Sequence, residues 1–242
     1  MVKYALICIV KDRIEKSIII RRKNWWGDKI LRKEKGKILI EGMDLSGKTT
    51  IVKYVSGLVK VDAIQERTLS GSSEIFNFTV GQSKKGQLHP DLINKLYTLA
   101  ISEDLYNYQP KEDSIILQDS YFALRSYALM KQKYPDTLAQ DVYNLLKLFP
   151  KPELAFYLTA STEERIRRNL KRNKPMAYME KLLMTDPTEF EKIERNLRYI
   201  TTSLFDAEVI DTQGKGPNEI ALYIGNKIKC LHREKAEDFI ER

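Results

Sequence analysis

Residues 42–49 read Gly-Met-Asp-Leu-Ser-Gly-Lys-Thr, a G-x-x-x-x-G-K-T spacing that follows the apolar run Ile38-Leu39-Ile40. A helix-compatible stretch continues over residues 49–60. This arrangement confines the fold more than any other feature of the chain. A buried strand must end where a helix begins, and the glycines must let successive backbone N–H groups turn inward around an anion. The lysine adds a point charge and the threonine hydroxyl can ligate Mg²⁺, so the loop reads as a polyphosphate cradle. At average residue usage, the four fixed positions would arise by chance in roughly one such chain in a hundred. A purely structural glycine turn is the alternative. The nucleotide-contacting set is Gly42, Met43, Asp44, Leu45, Ser46, Gly47, Lys48, Thr49 and Thr50.

At 242 residues and 43% hydrophobic, the chain can bury a full core and suits one α/β domain with modest additions. The net charge of +8 is spread among abundant acidic residues. It suits a protein that handles anionic substrates, and nucleic-acid binding is not needed to explain it. Cys8 and Cys230 lie far apart, and the histidines are His89 and His232 alone, which argues against a zinc site. The apolar run 4–10 is followed by Lys11-Asp12-Arg13 where a signal peptide would carry a small-residue cleavage site. No segment approaches the ~20 apolar residues of a membrane span. A cytoplasmic location is expected, with no membrane or nucleic-acid partner.

Residues 1–36 read as a separate β-rich extension. Runs 4–10 and 17–21 form a hairpin pattern, Trp25-Trp26-Gly27-Asp28 a turn, and 29–32 a short third strand, with Lys33-Glu34-Lys35-Gly36 as the boundary. From residue 37 to 232 strands and helices alternate, the pattern of a parallel sheet covered by helices on both faces. Five strands are predicted at 37–41, 61–66, 114–118, 153–158 and 208–210. Helices are predicted at 47–60, 90–108, 121–133, 137–148, 162–173, 187–202 and 217–232, with Pro90, Pro187 and Pro217 in first turns. Residues 70–73 and 81–86 read as loop, and 233–242 as a charged tail.

The loop's neighbours discriminate among phosphate-loop proteins. Helicases and motor ATPases need an acidic pair after a second apolar strand, whereas the run 114–118 ends in the single carboxylate Asp119. The N-K-x-D sequence by which GTPases read guanine does not occur. A phosphotransferase instead needs a carboxylate near the metal, a second substrate site and cations for the transferring group.

Glu41-Gly42-Met43-Asp44-Leu45-Ser46-Gly47-Lys48-Thr49-Thr50 resembles the E-G-x-D-x-x-G-K-T-T loop of thymidylate kinases, within the nucleoside monophosphate kinases. Pro152-Glu153-Leu154-Ala155-Phe156-Tyr157-Leu158 is similar to that family's P-D-L-x-x-Y-L strand. Residues 162–172 resemble its P-E-E-A-L-x-R-x-x-x-R helix, and Val209-Ile210-Asp211 its closing strand. The resemblance runs in order from about residue 37 to 229. It implies a P-loop kinase fold, Mg²⁺ and ATP as cofactors, and transfer of the γ-phosphoryl to dTMP or a related nucleoside monophosphate. It also implies a homodimer. Carried over residue by residue, Lys48 would hold the β- and γ-phosphates, and Thr49 with Asp119 would hold the metal. Asp44 would help position the acceptor, and residues 212–217 would touch adenine. A lid of about 168–187 would supply the transition-state cation. Arg165, Arg167, Arg168, Lys171, Arg172 and Lys174 cluster there, with Arg168 and Arg172 as the catalytic candidates. On a helix Arg165, Arg168 and Arg172 share a face, and Ile166 with Leu170 forms the stripe expected to dock it.

The acceptor half departs from the family. Its D-R-Y reads Asp119-Ser120-Tyr121, its A-x-R-x-x-H reads Ala100-Ile101-Ser102-Glu103-Asp104-Leu105, and its R-E-P is reduced to Glu66-Arg67. The remaining acceptor-side candidates are Asp44, Arg67, Tyr121 and Arg125, with Phe76, Phe78, Tyr97, Tyr121 and Tyr127 able to stack a base or to fill the core. Losing an Arg–phosphate contact forfeits a strong charge-assisted bond. A nucleoside or another small alcohol is therefore the alternative acceptor. A non-catalytic ATP-binding protein is a third reading, disfavoured by the intact Asp44, Lys48, Thr49 and Asp119.

Overall fold

The computed structural model describes residues 33–86, 88–110, 114–134, 137–172 and 175–238. The hairpin and turn expected over 1–32 lie outside the described residues. Among those described, five strands and nine helices alternate. In chain order they are β1 (Lys33–Glu41), α1 (Lys48–Leu58), β2 (Ala63–Arg67), α2 (Glu74–Lys85), α3 (Pro90–Asn107), β3 (Ile116–Tyr121) and α4 (Phe122–Lys133). There follow α5 (Leu138–Leu146), β4 (Lys151–Thr159), α6 (Thr162–Leu170), α7 (Tyr178–Thr185), α8 (Pro187–Phe205), β5 (Glu208–Asp211) and α9 (Pro217–Asp238).

The strands form one parallel sheet in the order β2-β3-β1-β4-β5. Successive side chains of β1 alternate between two cores. Ile38 and Ile40 join Ile51, Val55, Leu117, Phe156, Ile220 and Ile224 under α1 and α9. Leu39 joins Ile101, Leu124, Val142, Tyr157 and Leu197 under α3, α4, α5 and α8. Ile38, Leu39 and Ile40 are fully buried, each worth roughly 1.5–3 kcal/mol. Burial on both faces explains why residues 38–40 read as a continuous apolar run with no polar alternation.

The chain leaves β1 toward β2 on one side and crosses from β3 to β4 on the other. The C-terminal ends of β1 and β3 therefore border the crevice where the strand order reverses, the usual ligand position in open α/β sheets. Among the described residues no helix is long and apolar enough to cross a membrane.

Three elements differ from the sequence prediction. Residues 81–86, expected as loop, belong to α2 and its C-cap. The Ser73 side chain accepts from the Phe76 N–H, Glu74 sits in the first turn, Lys84 and Lys85 in the last, and Gly86 closes the helix in the left-handed region. Gly81 lies inside this helix, where it costs about 1 kcal/mol relative to alanine. Helix α7 was not predicted, because alanine stands at its N-cap where a side-chain cap would have marked the start; Glu180, three residues on, accepts from the Ala177 N–H at 2.9 Å instead. β1 also runs through the expected boundary, pairing Lys33 with Lys151 and Glu34 with Pro152 before a register shift. Gly36 makes that passage possible. It has φ +77°, and a Cβ there would lie 2.1 Å from the Ser114 carbonyl oxygen.

Candidate active site

The turn between β1 and α1 is held by its own backbone and by its apolar positions. Gly42 and Gly47 have φ of 149° and 94°, and Leu45 adopts φ 67°. Met43 and Leu45 are buried in the core beneath the loop, so residues the motif leaves free act as its anchors. A Cβ on Gly42 would lie 2.3 Å from the Leu158 carbonyl oxygen. Gly47 caps α1 without a side-chain bond, and no acidic residue occupies the first turn. The first N–H groups of α1 are thus left for an anion.

Lys48 is buried, with Nζ 3.4 Å from the Met43 carbonyl. Burial and the Arg125 charge press its pKa down to about 8, against the opposing pull of Glu41, Asp44 and Asp119. Thr49 donates its hydroxyl to Asp119 Oδ2 at 3.2 Å, and Ser120 donates to Oδ1 at 3.2 Å. Thr49 and Asp119, the metal pair that the resemblance implies, are far apart in sequence and are hydrogen-bonded here. Among the described residues no three His, Cys, Asp or Glu side chains converge as a metal cage. The Ser46 hydroxyl, buried in the loop, has no hydrogen-bond partner among the described residues.

Across the loop, Arg125 reaches in from α4. Its Nη1 donates to Asp44 Oδ1 at 2.7 Å, its Nη2 to the Gly42 carbonyl at 2.9 Å, and its Nε stands 3.8 Å from Glu41 Oε1. Burial would raise the Asp44 carboxyl, but Arg125, Lys48 and Arg172 together hold it below the usual aspartate range. Glu41 is fully buried, and burial pushes its pKa up against the charges of Arg125 and Lys48. Arg67 ends β2 with φ 64°, a left-handed conformation rare for a non-glycine residue. It lies close enough to Tyr97 for its charge to oppose the effect of burial on that phenol. Tyr97 belongs to an aromatic trio with Phe76 and Phe122, ring centroids 4.4–6.5 Å apart.

Tyr121 does not face this cleft. It is fully buried and packs edge-on against Phe149 and Phe205, with centroids at 5.6 and 6.0 Å. Ser120 at φ 64° breaks the strand alternation and turns the next side chain into the core. Its expected substrate contact is therefore withdrawn.

The lid arginines divide into different roles. Arg165 is fully buried, donating to the Ala160, Asp44 and Thr159 oxygens and pairing with Glu194 of α8. It is a brace and not a lid cation. Leu170, expected to dock α6, is 72% exposed; Arg165 and Asn169 occupy the buried face instead. Arg168 is pinned on the donor side. Its Nη1 donates to Leu45 O and Thr212 Oγ1, its Nη2 to Thr212 O, each at 3.0 Å, and its Nε to Glu164 at 2.7 Å. Arg172 bonds Glu180 at 2.5 Å, and its charge helps hold the Asp44 carboxyl down. Lys174 lies outside the described residues.

Two carboxylates were missed. Asp104 accepts from Leu69 N, Ser70 N and Ser70 Oγ at 2.6–2.8 Å, and Glu103 accepts from Ser73 Oγ and Ile75 N. Together they clamp the turn after β2. Asp104 shares the buried face of Ala100, Ile101 and Leu105, and a carboxylate in an apolar stripe is the signal that marks it.

No protein-family model and no curated protein matches this chain. Solved structures do. The structure of thymidylate kinase from Candida albicans matches 81% of this chain and 92% of its own, with TM-score 0.61 and 22% identity. The fold is that of a P-loop kinase. Deoxyadenosine kinase from M. mycoides with bound dCTP matches 79% of this chain and 99% of its own, at TM-score 0.52 and 23% identity. The same enzyme with the products dCMP and a flexible dCDP matches at TM-score 0.54 and 20% identity over 81% of this chain and 99% of its own.

Proposed function

We propose that this protein is a P-loop phosphotransferase that moves the γ-phosphoryl of Mg-ATP to a small nucleotide or nucleoside acceptor, with dTMP or a related nucleoside monophosphate as the leading acceptor. The observation that carries the reading is the convergence of Lys48, the Thr49–Asp119 pair and the Asp44–Arg125 pair around one loop at the C-terminal ends of β1 and β3. A pure nucleotide-binding module has no use for the last pair.

In this reading the N–H groups of 42–49 and the Lys48 ammonium hold the donor phosphates. Thr49 and Asp119 hold Mg²⁺, which when bound neutralises phosphate charge. Residues 212–217 meet the donor base, steadied by Arg168 through Thr212. Arg172 supplies positive charge on the lid side. Asp44 and Arg125 orient the acceptor, and the Phe76–Tyr97–Phe122 trio with Arg67 walls its far end. The acceptor oxygen attacks the γ-phosphorus in line as the bond to ADP breaks.

A nucleoside or small alcohol acceptor is favoured by one specific observation: the charge of Arg125 is already matched by Asp44 and Glu41. The arginine of the family's A-x-R-x-x-H pattern is Ser102 here, so that cation is missing as well. An acceptor panel decides. ADP release is measured with dTMP, other monophosphates, thymidine and other nucleosides, beside a Lys48→Ala control. Turnover of monophosphates supports the leading acceptor, and turnover of nucleosides alone replaces it with the second. No ADP above the control overturns both.

A further inference from the structure

We propose that Glu41 is a positioning residue that registers the metal-side carboxylate of Asp119 and the guanidinium of Arg125 against the phosphate loop. The proposal rests on the Mg-ATP reading above.

Glu41 ends β1 and is fully buried. Its Oε1 accepts from Gly42 N at 2.9 Å and its Oε2 from Tyr121 N at 3.0 Å, with Arg125 Nε 3.8 Å away. A carboxylate in such a place is costly to desolvate, and an apolar residue would end the strand as well. Its value lies in where its two oxygens reach. The backbone pairing of β1 with β3 runs to Ile40 opposite Asp119. One residue further, the Glu41 side chain takes over and ties the two strand tips through Tyr121 N.

Between those two ties sits Ser120 at φ 64°. Such strain persists only where the surroundings over-determine it. Asp119 is therefore held by strand pairing before the kink and by Glu41 after it, which leaves its Oδ2 at 3.2 Å from the Thr49 hydroxyl. The same carboxylate flanks Arg125 on the edge opposite Asp44. One side chain thus registers the tip of β3, the start of the loop and α4.

Glu41→Gln is the test, because an amide cannot accept from two converging N–H donors. It presents its own NH₂ to one of them, and one tie breaks. ATP affinity is measured by calorimetry with and without Mg²⁺, alongside turnover against Mg²⁺ concentration. The Mg²⁺ half-saturation is expected to rise about 10- to 100-fold, as for lost outer-shell partners of metal ligands, while metal-free ATP affinity, which shifts only through the Gly42 tie and the charge near Lys48, changes less. A Glu41→Asp variant, which keeps a carboxylate charge on this side chain but shortens its reach to Tyr121 N, is prepared in parallel to secure a folded protein. It shows the same metal defect. An unchanged Mg²⁺ dependence in whichever variant folds, with only the melting temperature lowered, overturns the proposal. If the wild type binds no ATP at all, the Mg-ATP reading itself falls and takes the proposal with it. Wild-type ATP binding that is intact but insensitive to Mg²⁺ removes the metal role of Thr49 and Asp119 together with that of Glu41, whereas a Mg²⁺-dependent wild type beside an unchanged variant overturns Glu41 alone.

Discussion

Arg165→Met separates a brace from a catalytic lid arginine. The substitution keeps most of the aliphatic stem and removes a guanidinium that is fully buried against Phe190 at 5.4 Å. It strips a donor from Ala160 O and Asp44 O and leaves Glu194 without its cation. Removing one partner of a buried pair costs about 3–5 kcal/mol. The lower end applies here, because Glu194 is 13% exposed and keeps a bond from Thr159 Oγ1 at 3.1 Å. A loss of about 3 kcal/mol corresponds to roughly 6–12 °C in melting temperature for a domain of this size. Urea unfolding and calorimetry of Arg165→Met, Glu194→Met and the double variant measure it. The double variant recovers at least half of the loss, since the orphaned carboxylate is gone. The reasoning is refuted if Arg165→Met leaves stability unchanged yet abolishes phosphoryl transfer, which would return Arg165 to the reacting phosphate.

Gly42→Ala forces a Cβ to within 2.3 Å of Leu158 O and 2.8 Å of Ser46 Oγ. The loop must shift, and strain of about 1–3 kcal/mol is expected as a loss of ATP affinity on the order of tenfold or more, read by calorimetry. Arg125→Met removes charge-assisted bonds worth about 1.5–3 kcal/mol. Acceptor KM is expected to rise at least ~10-fold, with a smaller change in ATP KM; the opposite split places Arg125 on the donor side. Lys48, held at about 8 where a lysine ordinarily titrates at 10.5, gives a signed pH effect. The native state releases this proton at lower pH than the unfolded chain. Its contribution to ligand-free stability therefore rises between those two values. ATP affinity falls across the same window, because polyphosphate binds the ammonium. A titration of ATP affinity from about pH 7 to about pH 10 is expected to decline for wild type and stay flat for Lys48→Met.

The donor half was legible because its chemistry sits in consecutive residues. The glycines, Lys48 and Thr49 are fixed by the loop itself, and the apolar β1 announces both faces of the sheet. The pairing of Asp119 with Thr49 was legible only as a resemblance, since strand order brings them together. Arg125 was readable as a residue near the site, but its aim at Asp44 depends on the start of α4 directly after β3. Arg165 shows the limit most clearly. Spacing put it on one face with Arg168 and Arg172, yet packing of α6 on α8 buried it, while Leu170, which looked like the docking residue, stands in water. Tyr121 failed for a backbone reason, the left-handed Ser120, that no periodicity carries. Helix α2 failed for a local one: Gly81 and Gly86 look alike in sequence, and only Gly86 ends the helix.

The passage of β1 through Gly36 also sets a polarity for the molecule. All five strands run parallel, so their beginnings share one pole and the phosphate loop stands at the other. Nine residues of β1 separate the two, about 30 Å at ~3.3 Å per residue. Whatever is joined ahead of Lys33, whether a tag, a probe or another domain, departs from the pole remote from the nucleotide. It needs a tether of that reach before it can touch the reaction. Shortening the chain to begin at residue 37 would remove the Lys33–Lys151 and Glu34–Pro152 pairings and fray the central strand.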